Sequence, residues 1–336
     1  MTIRRSLILT GAALIVATTI GTRNGMTAEP YSREALVNLA RTCANPETSS
    51  NRTVEACSFI LDIGLFEDPK MQAITYNNRG SAFALQYKFQ SALDDFSEAI
   101  RLDQNYETAY FNRGRLYETY GIADRAIENY DHAIRLKDDY ADAYAGRGIA
   151  YARLDKFDLA IRDFNEALKL QPNNAGVMAN RATAYLSIGE MDDAIADYYE
   201  VIRSAPNDTA AHVNLAWLRA TASNPLLRNA AEAIDLAEKA VSRQRNNALF
   251  HNVLAVAYAS AERHTDSMRS FDRAMALGGE QVTRIYQGSL KAAGFYDGEI
   301  TGISDPATRS AIWRCVHFAA CPLGWTHRPV FDWNPE

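Results

Sequence analysis

From residue 73 to residue 281 the small and apolar residues return at steps of three and four, in short stretches separated by polar breaks. That rhythm gives each stretch one buried helical face. The stretches also repeat. Aligning "ITYNNRGSAF", "TAYFNRGRLY", "DAYAGRGIAY" and "GVMANRATAY" puts Gly80, Gly114, Gly148 and Ala182 in one column, each 34 residues after the last. Phe83, Tyr117, Tyr151 and Tyr185 keep the same step, as do Ala92, Ala126, Ala160 and Ala194. Phe96, Tyr130, Phe164 and Tyr198 follow, then Ala99, Ala133, Ala167 and Val201, and Pro172 and Pro206 close two of the units.

The spacing predicts antiparallel pairs of helices. The small residue lets two helices approach and the aromatic fills the next gap. One hairpin cannot bury its own faces, so the units must stack. A fifth unit aligns His212 and Ala216 with the aromatic and small columns and continues through Ala233, Ala237 and Ala240. It needs five extra residues, which "TASNPLLRN" houses as a longer turn. A sixth runs from Ala248 with Ala255, Tyr258, Phe271 and Ala274 in phase. Upstream, "SREALVNLARTCAN" and "RTVEACSFILDIG" read as a degenerate hairpin over residues 31–70.

A period of 34 with these residues resembles the tetratricopeptide repeat (TPR) family. The resemblance implies an all-α fold: a right-handed superhelical solenoid of about six repeats over residues 73–281. It also implies a concave face built from the first helix of each unit, with a protein or peptide as partner. Asn78, Asn112, Asn180 and Asn214 share the sixth position of their units, where Gly146 interrupts the column. An amide there resembles the asparagine ladders with which such repeats hold an extended backbone, since it both donates and accepts. A purely local structural role is the other reading. The neighbouring Arg79, Arg113, Arg147 and Arg181 face a matching column of Asp95, Asn129, Asp163 and Asp197 on the second helices. Pairing between packed helices is the expectation, and an anion-binding groove the alternative.

The C-terminal stretch changes character. In "LKAAGFYDGEITGISDPATRSAIW" the residues Leu290, Gly294, Phe295, Tyr296, Gly298, Ile300, Gly302, Pro306, Thr308, Arg309 and Ala311 resemble a peptidoglycan-binding module, here residues 282–325. Trp313-Arg314 stands where that family has phenylalanine-glutamine, and no clear third helix follows. Gly294 is expected to end one helix, and Ser304 or Asp305 to cap the next before Pro306. Phe295, Ile300, Ile312 and Trp313 are the expected small core. Tyr296 and Trp313 are the aromatic candidates for stacking on a glycan. The module either binds peptidoglycan or only closes the last apolar face of the solenoid. Residues 326–336 read as a tail.

Composition sets the remaining limits. The chain has 336 residues, a hydrophobic fraction of 47% and a net charge of −6. No basic run is dense enough to track a phosphate backbone, which argues against a nucleic-acid partner. Arg4 and Arg5 precede an uncharged run from Leu7 to Ile20, and "MTA" at Met26–Ala28 offers a cleavage site. Residues 1–28 therefore read as a secretory signal and the protein as periplasmic. An uncleaved anchor in the inner membrane, facing the periplasm, is the alternative and the one route to a membrane.

The four cysteines agree with export. Sequence proximity favours Cys43–Cys57 and Cys315–Cys321, although four cysteines allow three pairings and free buried thiols remain open. A loop the size of Cys43 to Cys57 is worth roughly 3 kcal/mol. The six histidines form no HExxH pair, and no GxSxG, phosphate loop or dinucleotide fingerprint occurs. The expectation is a scaffold with no catalytic, metal or cofactor site. An accessory subunit of a peptidoglycan-processing enzyme, or an unrecognised wall enzyme, are the alternatives.

Overall fold

The computed structural model describes residues 31–317. The expected signal (1–28), Cys321 and the tail lie outside them. The described residues form fifteen α-helices and one 3-10 turn, with no strand among them. The chain divides after Pro172 into two compact units.

The first unit opens with the hairpin α1 (Arg33–Ala44) and α2 (Ser50–Asp62). Ser32 caps α1, its hydroxyl accepting from Ala35 N at 3.2 Å. A disulfide between Cys43 and Cys57 joins the two helices, with Cα atoms 5.0 Å apart. Around it pack Ala40, Ala56, Ile60 and Met71. Three hairpins follow: α3 (Pro69–Leu85) with α4 (Phe89–Leu102), α5 (Glu107–Thr119) with α6 (Ala123–Leu136), and α7 (Ala141–Arg153) with α8 (Phe157–Leu170). Each pair closes on the columns read from the sequence. Phe96, Tyr130 and Phe164 are buried against the small residues of the partner helix. A methyl group on Gly148 would stand 2.7 Å from the Phe164 ring, closer than atoms can pack.

The second unit holds α9 (Ala175–Ile188) with α10 (Met191–Ser204), α11 (Thr209–Thr221) with α12 (Ala230–Arg243), and α13 (Ala248–Ser260) with α14 (His264–Ala292). The five extra residues of the fifth unit sit in the connection from α11 to α12, where Pro225–Leu227 make the 3-10 turn. Gly279, with φ of 58°, breaks α14. The part beyond it is the first helix of the C-terminal module, and α15 (Pro306–His317) is the second.

The module has no core of its own. Val282, Tyr286, Leu290, Tyr296, Ala311, Ile312, Cys315 and Val316 pack into one cluster with Ala255, Phe271, Ala274 and Met275 of the last hairpin. The expected core needs correction. Ile312 is buried, but Ile300 and Trp313 are 42% and 49% exposed. The buried stripe of α15 is Thr308, Ala311, Ile312, Cys315 and Val316, and Trp313 falls off it by one residue. Asp305 rather than Ser304 is the cap, its carboxylate accepting from Thr308 N at 2.7 Å. That contact holds the Asp305 carboxyl below its usual value. The centre of the module is a buried amide: Gln287 donates to Thr308 Oγ1 at 2.9 Å and accepts from Gly302 N at 2.9 Å.

Each short turn between the two helices of a repeat, unlike the longer connection from α11 to α12, places one residue in the left-handed region. Gly121 and Gly189 fill that place with φ of 74° and 87°. Tyr87, Asp155 and Glu262 occupy the same place with φ of 57°, 56° and 58°. A side chain there costs about 1 kcal/mol. Tyr87 is 82% exposed and has little packing to lose. Tyr87→Gly should therefore stabilise the chain by about 1 kcal/mol in urea unfolding. A lowered midpoint would show that the ring, not the backbone, governs this turn.

Candidate peptide-binding face

The sixth position of each repeat lies on its first helix. In the first unit the column falls on α3, α5 and α7. Asn78 is half-buried, and among the described residues its amide has no internal hydrogen bond. Asn112 is buried, and its Nδ2 donates to Asn77 Oδ1 at 2.9 Å. The third place is empty for a steric reason. A methyl group on Gly146 would stand 2.5 Å from Tyr130 Cζ. The Tyr130 hydroxyl donates to Glu118 Oε2 at 3.2 Å, which fixes the ring over that spot.

The second unit places Asn180 on α9, half-buried and likewise without an internal hydrogen bond among the described residues. Asn214 on α11 is buried, donating to the Tyr198 hydroxyl at 3.1 Å. The four amides are thus not equivalent rungs. Asn78 and Asn180 keep donors and acceptors to offer; Asn112 and Asn214 each spend an amide donor inside. Sequence spacing shows the column but not which amides are occupied, because Asn77 lies outside the repeat pattern.

Asn78 opens onto a pocket of about 60 Å³. Asn112, Tyr106, Phe111, Tyr140 and Asp142 line it from the repeats, and Cys43 and Pro46 from the first hairpin. Burial raises the pKa of the Tyr106 and Tyr140 hydroxyls, so both stay protonated at neutral pH. The first hairpin is part of this site, which the sequence pattern did not indicate.

The arginine column is structural. Arg79 grips Asp95 with two hydrogen bonds of 2.8 and 2.7 Å, and Arg181 holds Asp197 in the same way at 2.8 and 2.7 Å. Arg147 takes Asp163 at 2.7 Å through both nitrogens and Asp131 at 2.6 Å. Burial works against the Arg147 charge, yet these carboxylates raise its pKa. Arg113 finds the neutral Asn129 at 2.8 Å instead, and burial lowers its pKa. These side chains are satisfied by partners on their own hairpin and, for Arg79, Arg113 and Arg147, on the preceding one, which sets the anion groove aside.

The two glycan candidates differ. Tyr296 is buried and its hydroxyl donates to the Glu299 carbonyl at 2.9 Å, so it is a core residue and not a stacking platform. Trp313 keeps an accessible ring, stacked on His317 at 3.9 Å. Cys315 is buried and disulfide-bonded; its expected partner, Cys321, lies outside the described residues.

Family models of the tetratricopeptide repeat match residues 107–140, 141–174, 175–208 and 227–281. The chain carries tetratricopeptide repeats. Among solved structures, a tetratricopeptide repeat protein from Parabacteroides merdae is 18% identical, with a TM-score of 0.50 over 68% of this chain and 87% of that one. The Cut9–Hcn1 hetero-tetramer of the APC/C is 18% identical, with a TM-score of 0.52, covering 74% of this chain and 47% of its counterpart. YrrB, described as a TPR protein with an unusual peptide-binding site, is 21% identical, with a TM-score of 0.47 over 57% of this chain and 94% of that one. The first two likenesses show a shared fold. No curated protein matches the sequence.

The odd member of the arginine column provides an internal control. Arg147→Leu strands two carboxylates, one of them buried, and should cost about 3 kcal/mol. Arg113→Leu leaves only neutral groups, the Asn129 amide and the Ser97 hydroxyl, and should cost about 1 kcal/mol. Urea unfolding of the two variants measures the difference, and equal losses would show that the acid pairs add nothing to packing.

Proposed function

We propose that this protein is an exported, non-enzymatic scaffold that captures an extended segment of a protein partner on the first helices of its repeats. The observation that carries this reading is Asn78: an amide without an internal partner, set beside a pocket with aromatic walls. An extended backbone offers the alternating N–H and C=O groups that such an amide pairs with. In the second unit Asn180 repeats the half-buried amide without an internal hydrogen bond among the described residues. The compartment is the periplasm: the disulfide of the first hairpin and the bonded Cys315 suit an oxidising environment. Among the described residues no helix is long and apolar enough to cross a membrane. In this reading the C-terminal module locates the scaffold at peptidoglycan, with Trp313 as the stacking ring.

Crosslinking in the periplasm followed by recovery of the chain should bring down a partner. Replacing Asn78 and Asn180 together by Ala should cut that recovery roughly tenfold, about one hydrogen bond each. The melting curve should not move. Undiminished recovery would make the amides structural and remove this face from the account. For the wall, the full chain should sediment with insoluble peptidoglycan and Trp313→Ala should not. Truncation is a poorer test, because the module shares its core with the last hairpin. A parent chain that stays in the supernatant would leave the module as a cap.

A further inference from the structure

The pocket beside Asn78 has a charge asymmetry that bears on what enters it. Its lining contains a single charged residue, Asp142, and no lysine, arginine or histidine. Most carboxylates nearby are accounted for. Asp103 and Glu107 act on the Tyr106 hydroxyl from outside the lining, and they accept from Asn105 N at 3.0 Å and Thr108 Oγ1 at 3.2 Å. Asp142 has no ion pair or hydrogen bond among the described residues. Its place in the first turn of α7 suits a carboxylate, since the helix end is positive there. That accounts for an acid on the helix but leaves its charge uncompensated toward the pocket.

The rest of the lining favours the same kind of guest. Tyr106, Phe111 and Tyr140 supply aromatic faces, which attract cations within about 6 Å. The chain itself makes this contact on two of these rings: the Lys137 ammonium lies 4.9 Å from the Tyr140 ring centre and the Arg115 guanidinium 5.7 Å from that of Phe111. Tyr106 has no such cation among the described residues. A terminal carboxylate or a phosphate would meet Asp142 with no basic group in the lining to offset it. The cavity of about 60 Å³ admits the end of one side chain, not a folded element.

We propose that this pocket takes a lysine or arginine side chain of the captured segment, its cation set against Asp142 and the Tyr106 ring. The partner segment is then basic at one position, and acidic or phosphorylated segments are excluded. This rests on the peptide-capture reading and adds a charge rule to it.

The test uses the full chain and a positional library of short synthetic peptides. At one position Lys or Arg should be retained roughly tenfold over Glu. Asp142→Asn, which keeps the shape, should reduce that preference to about twofold, as should about 0.5 M salt in the parent. Preferences at the other positions should persist. Equal retention of Lys and Glu, or a preference that survives Asp142→Asn, would overturn the charge rule and leave peptide capture standing. Retention of no peptide of any charge would overturn both.

Discussion

The contact on which the structure depends is an aromatic ring seated in a notch. In the first unit Phe96, Tyr130 and Phe164 on second helices press on Gly80, Gly114 and Gly148, where a missing side chain leaves room. The pressure closes each hairpin and fixes its rotation about the helix axes. The residue just before each glycine is then turned toward the second helix, so Arg79 reaches Asp95 and Arg147 reaches Asp163. One residue earlier still, the sixth position points to a different side, and this puts Asn78 at the pocket. The proposed binding face and the ion pairs are both consequences of where the ring sits.

The repeat was legible because that contact is a matter of side-chain size, and size must recur at each turn of the stack. The arginine pairs were legible for the same reason, since their acids recur at a fixed distance in sequence. What was hidden depended on single residues outside the pattern. Asn77 decides that Asn112 is occupied. At position 146 the Tyr130 ring lies where a side chain would begin, whereas the equivalent Tyr198 leaves room for Asn214 and accepts its hydrogen bond. Nothing in the spacing marks Gln287, because a buried amide in a helix reads as an exposed one until its partners are brought round by the turn at Gly302. Trp313 was misplaced by one position of helical phase, in a helix too short for periodicity to fix it.

The two ends of the array solve the problem of a last exposed face in different ways. A stack of identical units always leaves an apolar surface at each end. In the first unit a hairpin covers it, with a disulfide in place of a large core, and the same hairpin supplies Cys43 and Pro46 to the pocket. In the second unit the chain continues through the break at Gly279 into a module that shares the core of the last hairpin. At the first end the covering hairpin also lines the pocket, and at the other the cover shares its core with the last hairpin, so a change at either end is felt in stability.

The central claim is that the first-helix face, and not the second-helix face, meets the partner. Site-specific photocrosslinking addresses it directly. A photoreactive phenylalanine is placed at Asn78 on α3 in one variant and at the exposed Asp94 on α4 in another. Irradiation in the periplasm should trap a partner from position 78 and none from position 94. Trapping from 94 alone, or equally from both, would contradict the account and move the binding surface to the other side of the repeats.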